Sequence, residues 1–360
     1  MIILAVESSC DETAVALVRD GRTVLADCIA SSVEMHRIYG GVVPEIASRK
    51  HIEVIAQLAD QALEQAGLSR GDIDAVAVTY APGLIGAVLV GVSFAKSVAY
   101  ALGVPLIPVH HVRGHIAANY LAHPDLEPPF VCLCVSGGTS LLVDVKGYTE
   151  MEILGATRDD AAGECFDKIA RVMGLGYPGG APLDRAAQGS NDKAFSLPRV
   201  HIQDAPLDMS FSGLKTAMLN LIHNAQQKGE ELPVADLAAS FSAAVSEELV
   251  PRTMAAAQAK GYGKVAVVGG VAANSRIRRD LEQACQAAGC TLYLPPLKLC
   301  GDNGSMIGSQ GYYEYLAGIR AGTDLNAYAN REISRPYGTG TAPVFPSPVE
   351  KSVESVHNSL

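Results

Sequence analysis

The sequence predicts an α/β fold built from two similar lobes. Two patterns each occur twice along the chain: a hairpin of two hydrophobic strands around a polar turn, and a strand followed by a glycine-containing turn and an apolar helix. The hairpin strands are predicted at residues 2–6 and 13–18, and again at 130–135 and 140–145. The strand–turn–helix units begin near residues 75 and 265. A chain of 360 residues also exceeds the usual size of one hydrophobic core.

The repeated patterns predict the domain boundaries. We expect an N-terminal lobe at residues 1–129 and a C-terminal lobe at residues 130–335, with a mostly helical insertion at about 151–260, where apolar residues recur with helical periodicity. Residues 336–360 are rich in Pro, Ser, Gly and Thr and lack apolar periodicity, so we expect a disordered tail.

Composition limits the class of protein. The formal net charge of −10 argues against a protein that coats nucleic acid by bulk electrostatics. None of the eight cysteines lies in a CxxC pair, and no basic flank or cleavage site marks a signal peptide. The apolar stretch at residues 83–95 is short for a membrane span and rich in small residues, so we expect a buried helix there. These features favour a cytoplasmic protein without a membrane segment.

A cluster of histidines is the strongest chemical signal in the chain. His111 and His115 are four residues apart, so on a helix they face the same way and can bind one divalent metal ion. The same HxxxH spacing suggests a metal-dependent peptidase, but such enzymes carry a catalytic glutamate directly after the first histidine, where this chain has Val112. Two buried structural histidines are the other alternative.

A third ligand is expected from a rigid polar turn. Asp302 precedes a predicted helix at residues 306–316, where its carboxylate would either cap the helix or bind the metal. Two histidines and one carboxylate suit Fe(II) or Zn(II) and leave coordination positions open for a substrate.

Two glycine turns are candidate anion sites. Ser136, Gly137 and Gly138 lie between two strands, and Gly269 and Gly270 lie between a strand and a helix. Because glycines leave backbone N–H groups accessible, such turns can hold a phosphate, although a simple turn is the plainer interpretation.

Eight motifs in order resemble the tRNA N6-adenosine threonylcarbamoyltransferase (TsaD) family. They are the stretches at residues 7–13, 39–45, 110–115, 135–138, 159–164, 177–180, 210–215 and 269–274. The similarity covers about residues 1 to 335. It implies a duplicated actin-like, sugar-kinase-like ATPase (ASKHA) fold with the active site in the cleft between the lobes. It also implies transfer of a threonylcarbamoyl group from threonylcarbamoyl-AMP to N6 of adenosine 37 in tRNAs that read codons beginning with A.

The resemblance also implies roles for individual residues. The metal ligands would be His111, His115 and Asp302, holding one divalent ion per subunit, Fe(II) first and Zn(II) second. Positions that match substrate-contacting ones are Cys134, Val135, Ser136, Gly137, Gly138, Asp167, Gly180, Asp184 and Asn274. Asp11 and Glu12 match acidic residues near the reacting groups. Bacterial members usually have histidine after the second hairpin's glycines, where this chain has Thr139.

The same resemblance implies macromolecular partners. They are tRNA, a paralogous actin-like subunit (TsaB-like) and a small P-loop ATPase (TsaE-like). An acidic protein has to present a local basic surface to RNA, because phosphate contacts supply most of the affinity. The candidate RNA-binding residues are Arg158, Arg185, Lys193, Arg199, His201 and Lys215.

Overall fold

In the computed structural model, residues 1–199, 202–335, 337 and 338 are described, and they contain two five-stranded sheets. The first sheet has the order β3-β2-β1-β4-β5. Its strands are β1 (Ile2–Glu7), β2 (Glu12–Arg19), β3 (Thr23–Ser31), β4 (Ala75–Ala81) and β5 (Leu106–His110). β1 pairs antiparallel with β2 and parallel with β4, and both β1 and β4 are almost wholly buried because helices cover the two faces.

The second sheet repeats the first. Its order is β10-β9-β6-β7-β8. Read from the other edge, this is the order of the first sheet with five added to each strand number. Its strands are β6 (Phe130–Val135), β7 (Ser140–Val145), β8 (Met151–Ala156), β9 (Lys264–Val268) and β10 (Thr291–Tyr293). Both predicted hairpins are therefore present, as β1–β2 and β6–β7.

Helices connect the strands in the same order in both halves. They are α1 (Val33–His36), α2 (Pro44–Ala66), α3 (Ile85–Leu102), α4 (His111–Ala122), α5 (Ala162–Val172), α6 (Gly180–Ala187), α7 (Ser212–Lys228), α8 (Val234–Lys260), α9 (Ser275–Ala288) and α10 (Gly304–Leu316). By order, α8, α9 and α10 correspond to α2, α3 and α4. The C-terminal half therefore has α5, α6 and α7 between its first three strands and the counterpart of α2. Residues 151–156, which we expected to open the helical insertion, instead form β8, the counterpart of β3.

The last helix of each half packs on the sheet of the other half. α4 places Ile116 and Tyr120 in a core with Phe130 and Cys132 of β6. α10 places Met306 in a core with Ile3 of β1. This exchange brings α4 and α10 against each other between the two sheets.

The predicted buried helix at residues 83–95 is α3, which extends to Leu102. It is long and apolar enough to span a bilayer by length and composition, which for a single helix is weak evidence. One face, including Val88 and Val92, is fully buried, and the opposite face exposes Ile85, Leu89 and Tyr100. The predicted tail, residues 336–360, lies almost entirely outside the described residues.

Candidate metal centre and substrate cradle

Two histidines face each other at the start of α4. β5 ends at His110, whose side chain accepts a hydrogen bond from Val112 N and so caps the helix that begins at His111. His111 and His115 are one turn apart, with ring centroids 4.6 Å apart. The predicted helical spacing is therefore present, and both rings are largely buried.

Asp302 meets both histidines from the other half of the molecule. Its Oδ1 lies 3.1 Å from His115 Nε2 and 3.5 Å from His111 Nε2. Ligand atoms on a tetrahedral metal with bonds of about 2.1 Å lie about 3.4 Å apart, so the three donors have suitable spacing. The helix cap is not Asp302 but the next residue, Asn303, whose Oδ1 accepts from Met306 N at 2.8 Å.

The unpaired nitrogens of His115 also fit a metal ligand. Its side chain is 5% exposed, and neither ring nitrogen makes a hydrogen bond of good geometry within the described part of the chain. A buried polar atom without a partner is costly, and a metal ion would satisfy the nitrogen that faces Asp302. His111, His115 and Asp302 thus form a possible metal site.

Glu7 is a functional candidate that the sequence analysis missed. This fully buried carboxylate ends β1, and its Oε2 lies 3.0 Å from His111 Nδ1. Thr79 Oγ1 and Ser9 N also donate to it, which fixes its position. When His111 Nδ1–H donates to Glu7, the lone pair of Nε2 points toward Asp302. A buried glutamate at a strand end directly before a polar turn was the available signal.

The charged groups of the site shift one another's pKa values. Burial lowers the pKa of His111, but the carboxylates of Glu7 and Asp302 outweigh it and raise that pKa to about 9. Burial raises the pKa of Asp302, but the two histidines outweigh it and lower that pKa to about 2. Asp302 is therefore ionised at neutral pH, whereas His111 carries a proton on both ring nitrogens, and a metal ion bound at its Nε2 would displace one of them.

Asp11 lies in the turn between β1 and β2, and Glu12 is the first residue of β2, beside this site. Burial, followed by the charges of Asp302 and Asp11, raises the pKa of Glu12 to about 9. Buried His51 of α2 supports the turn: Thr13 Oγ1 donates to its Nδ1 at 2.7 Å, and its Nε2 donates to Cys10 O at 3.0 Å. A helix on the outside of the lobe thus holds the backbone of the acidic turn.

The second hairpin turn forms an open backbone cradle. Cys134 and Val135 are buried at the end of β6, whereas Gly137 and Gly138 are exposed and a Cβ atom on either would meet nothing within 4 Å. Ser136 N donates to Thr139 O, which closes the turn through the backbone. The glycine turn after β9 lies alongside, because a Cβ on Gly269 would sit 2.3 Å from Val135 O. The two predicted anion turns are therefore neighbours.

Four other predicted substrate positions border this cradle. Asp167 of α5 is half-buried and accepts from Gly179 N at 2.7 Å, so it holds the start of α6, where Gly180 lies. Asp184 of α6 accepts from Ser275 N and Oγ. Asn274 caps α9 by accepting from Ile277 N. These side chains link the helix ends around the cradle.

The predicted RNA-binding cations have different environments. Arg158 pairs with Asp208, Lys215 with Asp160 and Arg199 with Glu247. Arg185 and Lys193 are exposed and have no ion-pair partner among the described residues. His201 lies outside the described residues.

Solved structures share this architecture. HypF from T. kodakarensis has a TM-score of 0.60 at 17% identity, over 88% of this chain and 48% of that one. The component A of (R)-2-hydroxyglutaryl-CoA dehydratase from Acidaminococcus fermentans has a TM-score of 0.51 at 15% identity, over 88% and 99% of the two chains. The predicted two-lobed, actin-like and sugar-kinase-like fold is confirmed.

Sequence relatives identify the family. The chain is 52% identical over 331 residues to the tRNA N6-adenosine threonylcarbamoyltransferase of Clostridium botulinum, covering 92% of this chain and 97% of that protein. It is 55% identical over 325 residues to the protein of the same name from Moorella thermoacetica, covering 90% and 95%. The relatives give no support to the peptidase alternative. The model of the tRNA N6-adenosine threonylcarbamoyltransferase family, TsaD, matches residues 23–309, and the chain belongs to that family.

Proposed function

We propose that this enzyme transfers the threonylcarbamoyl group of threonylcarbamoyl-AMP to N6 of adenosine 37 in tRNAs that read codons beginning with A. The observation that carries the proposal is the meeting of His111, His115 and Asp302 from two halves of the chain, in a member of this transferase family. The exocyclic amine of adenine is a weak nucleophile, so the reaction needs a donor with a good leaving group. AMP provides one.

His111, His115 and Asp302 would hold one divalent metal ion, with Fe(II) our first choice and Zn(II) the second. When bound, the ion supplies positive charge that orients the donor and stabilises negative charge on its oxygens. Glu7 keeps the Nε2 of His111 available for that ion through the hydrogen bond to Nδ1. Gly137 and Gly138 would hold the donor through backbone N–H groups, with Ser136 closing the turn and Cys134 and Val135 beneath it.

Around the nucleotide we assign ribose-orienting roles to Asp167, Gly180, Asp184 and Asn274. In the transfer step, N6 attacks the carbamoyl carbon, the bond from that carbon to the phosphate oxygen of AMP breaks, and the amine loses a proton. We assign Asp11 and Glu12 as the acidic residues that face the reacting groups, and Asp11 as the carboxylate that takes up this proton, because the raised pKa of Glu12 keeps that side chain protonated at neutral pH.

The decisive assay incubates the purified protein and its partner subunits with tRNA and threonylcarbamoyl-AMP, then analyses nucleosides by mass spectrometry. We expect threonylcarbamoyl-adenosine at position 37, lost in His115→Ala and Asp302→Ala together with bound metal. Asp11→Asn should instead lower kcat while metal content stays at the parental level. Absence of product from the parent with all components present would refute the proposal.

The peptidase alternative has a structural difficulty beyond the missing glutamate. Val112 is 3% exposed and packs in the core that α4 forms with the second sheet. A side chain at this position points into that core and not toward Asp302. Chelator-sensitive cleavage of casein by the unaltered protein would be needed to revive this alternative.

We further propose that the protein works in the cytoplasm with a paralogous actin-like subunit and a small P-loop ATPase. The subunit would dock on the apolar outer surface of α2, α3 and the segment before α2, where five large side chains are exposed: Ile38, Tyr39, Ile52, Ile85 and Leu89. Ile52→Glu with Leu89→Glu should abolish co-elution with that subunit without changing bound metal.

A further inference from the structure

The two helices that present the metal ligands pack directly on each other. His111 and His115 lie on α4, and Asp302 lies two residues before α10. These helices occupy equivalent places, after the last strand of each sheet, and each crosses to the opposite sheet. The separation of Asp302 from the two histidines therefore depends on how α4 sits against α10.

A buried ion pair joins these helices. Arg113 Nη1 lies 2.9 Å from Glu314 Oε1, and the two side chains are 2% and 3% exposed. Gln310 Nε2, one turn earlier on α10, donates to the same oxygen at 2.9 Å. Arg113 Nε and Nη2 also donate to Ile333 O, at 3.0 and 2.7 Å. Arg113, between the two histidines in sequence, is thus held in one orientation by partners on two segments.

Such a pair is a costly way to stabilise a core. Burying both ions removes their hydration, and apolar residues of similar volume often stabilise a protein equally well or better. What an ion pair with directed hydrogen bonds adds is a fixed register and rotation between two elements. Here the register it fixes is the one that sets the distance from the histidines to Asp302.

A second contact fixes the spacing of the same helices. A Cβ atom on Gly114 would lie 2.6 Å from Ile307 Cδ1 and 3.4 Å from Met306 Cγ. A larger residue here would have to displace the end of the Ile307 side chain, so the glycine next to His115 allows the present close packing of α4 on α10.

We propose that the Arg113–Glu314 pair and the Gly114–Ile307 contact position His111 and His115 against Asp302, so that Arg113, Gly114 and Glu314 are positioning residues for metal binding. The inference rests on the metal centre of the proposed function. It assigns these residues no contact with the substrate or the ion.

The first test separates positioning from stability. Arg113→Met alone leaves Glu314 buried without its partner and should lower Tm. The double variant Arg113→Met/Glu314→Met should regain a Tm near that of the parent, yet bind Zn(II) at least about tenfold more weakly in competition with a chromophoric chelator. The matched control is Arg252→Met/Glu248→Met, which replaces a largely buried pair within α8 and should leave the Zn(II) Kd unchanged.

The second test uses the helix spacing and holds even where the double methionine variant does not fold. Gly114→Ala should weaken Zn(II) binding, and adding Ile307→Val, which removes the Cδ1 atom in the way, should restore it. If Gly114→Ala and the folded double methionine variant both bind Zn(II) as tightly as the parent, the positioning role is wrong and the proposed function is unaffected. Failure of the parent itself to bind Zn(II) or Fe(II) overturns both.

Discussion

At the scale of single residues, one hydrogen bond decides which nitrogen of His111 is available to a metal. Glu7 accepts from Nδ1 and is itself held by Thr79 and Ser9, so the ring cannot turn over without leaving a buried carboxylate short of a donor. Partners of this kind matter to metal affinity almost as much as the ligands themselves. Glu7 is therefore part of the candidate metal centre through its bond to His111 and not as one of the three candidate ligands.

Glu7→Gln tests this role. The amide has nearly the same shape but offers one acceptor oxygen for the three donors, and its NH₂ group would face another N–H or O–H. We expect Zn(II) affinity to fall about 10- to 100-fold, measured by chelator competition, with the fold retained. Glu164→Gln, on the surface of α5, is the matched control and should bind normally. Unchanged affinity in Glu7→Gln would mean that His111 needs no such support.

We expect the buried His51 to make the free energy of unfolding depend on pH. Burial lowers its pKa, against the hydrogen bond to Cys10 and the charges of Glu7 and Asp11, which raise it. The unfolded chain then takes up a proton at His51 near pH 6.5, and the folded chain takes it up only at a lower pH, so the free energy of unfolding should decrease as pH falls below about 6.5. His51→Gln should flatten this decrease between pH 7.5 and 5 in urea titrations. The exposed His223→Gln should not, and equal slopes in both variants would contradict the assignment.

At the scale of elements, we expect the hairpin turn after β6 to recognise a ligand through its backbone and not through a side chain. The turn closes by a bond from Ser136 N to Thr139 O, which does not depend on the side chain at position 139. Thr139, where the family resemblance implies a histidine, therefore leaves this backbone bond unchanged. The feature that we expect to matter for binding is the free space above Gly137 and Gly138.

Filling that space should affect binding without affecting folding. Gly138→Val introduces side-chain atoms where the nearest neighbours are beyond 4 Å and where no positive φ strains a larger residue. We expect Tm to stay within a few degrees and KM for threonylcarbamoyl-AMP to rise at least tenfold. Gly263→Val, in an exposed loop at the far end of β9, controls for the added bulk. Thr139→His should change neither quantity.

How much the sequence can predict differs between these elements. Alternating and continuous apolar runs are local signals, so the hairpins and the HxxxH helix could be predicted from them. The pairing of β8 and the crossing of α4 and α10 to opposite sheets depend on contacts between residues far apart in sequence, which periodicity does not encode. For the same reason, the sequence predicts that Asp302 is either a metal ligand or a helix cap and does not decide between the two roles. The carboxamide of Asn303, one residue later, is the cap.

At the scale of the whole molecule, the net charge of −10 has to be reconciled with an RNA substrate. Several of the predicted RNA-binding cations are already neutralised by carboxylates, as in the Arg158–Asp208 and Lys215–Asp160 pairs. Arg185 lies at the end of α6, which carries Asp184 at the cradle, and Lys193 follows in the next loop. Among the predicted cations, positive charge that is free to meet a phosphate is therefore concentrated beside the proposed nucleotide site.

Reversing these two charges should weaken tRNA binding uniformly across sequences. The plot of log K against log salt has a negative slope, and this slope becomes less steep by about one for each phosphate that the protein no longer neutralises. Arg185→Glu/Lys193→Glu should therefore bind tRNA more weakly, with a slope less steep by up to about two. Filter binding between 50 and 200 mM salt would measure both. Arg19→Glu/Lys228→Glu makes the same change in net charge at exposed residues outside the predicted RNA surface. If the control weakened tRNA binding as much as Arg185→Glu/Lys193→Glu does, the effect would come from the overall charge of the protein. If neither variant weakened tRNA binding, tRNA would have to approach from another side of the cleft.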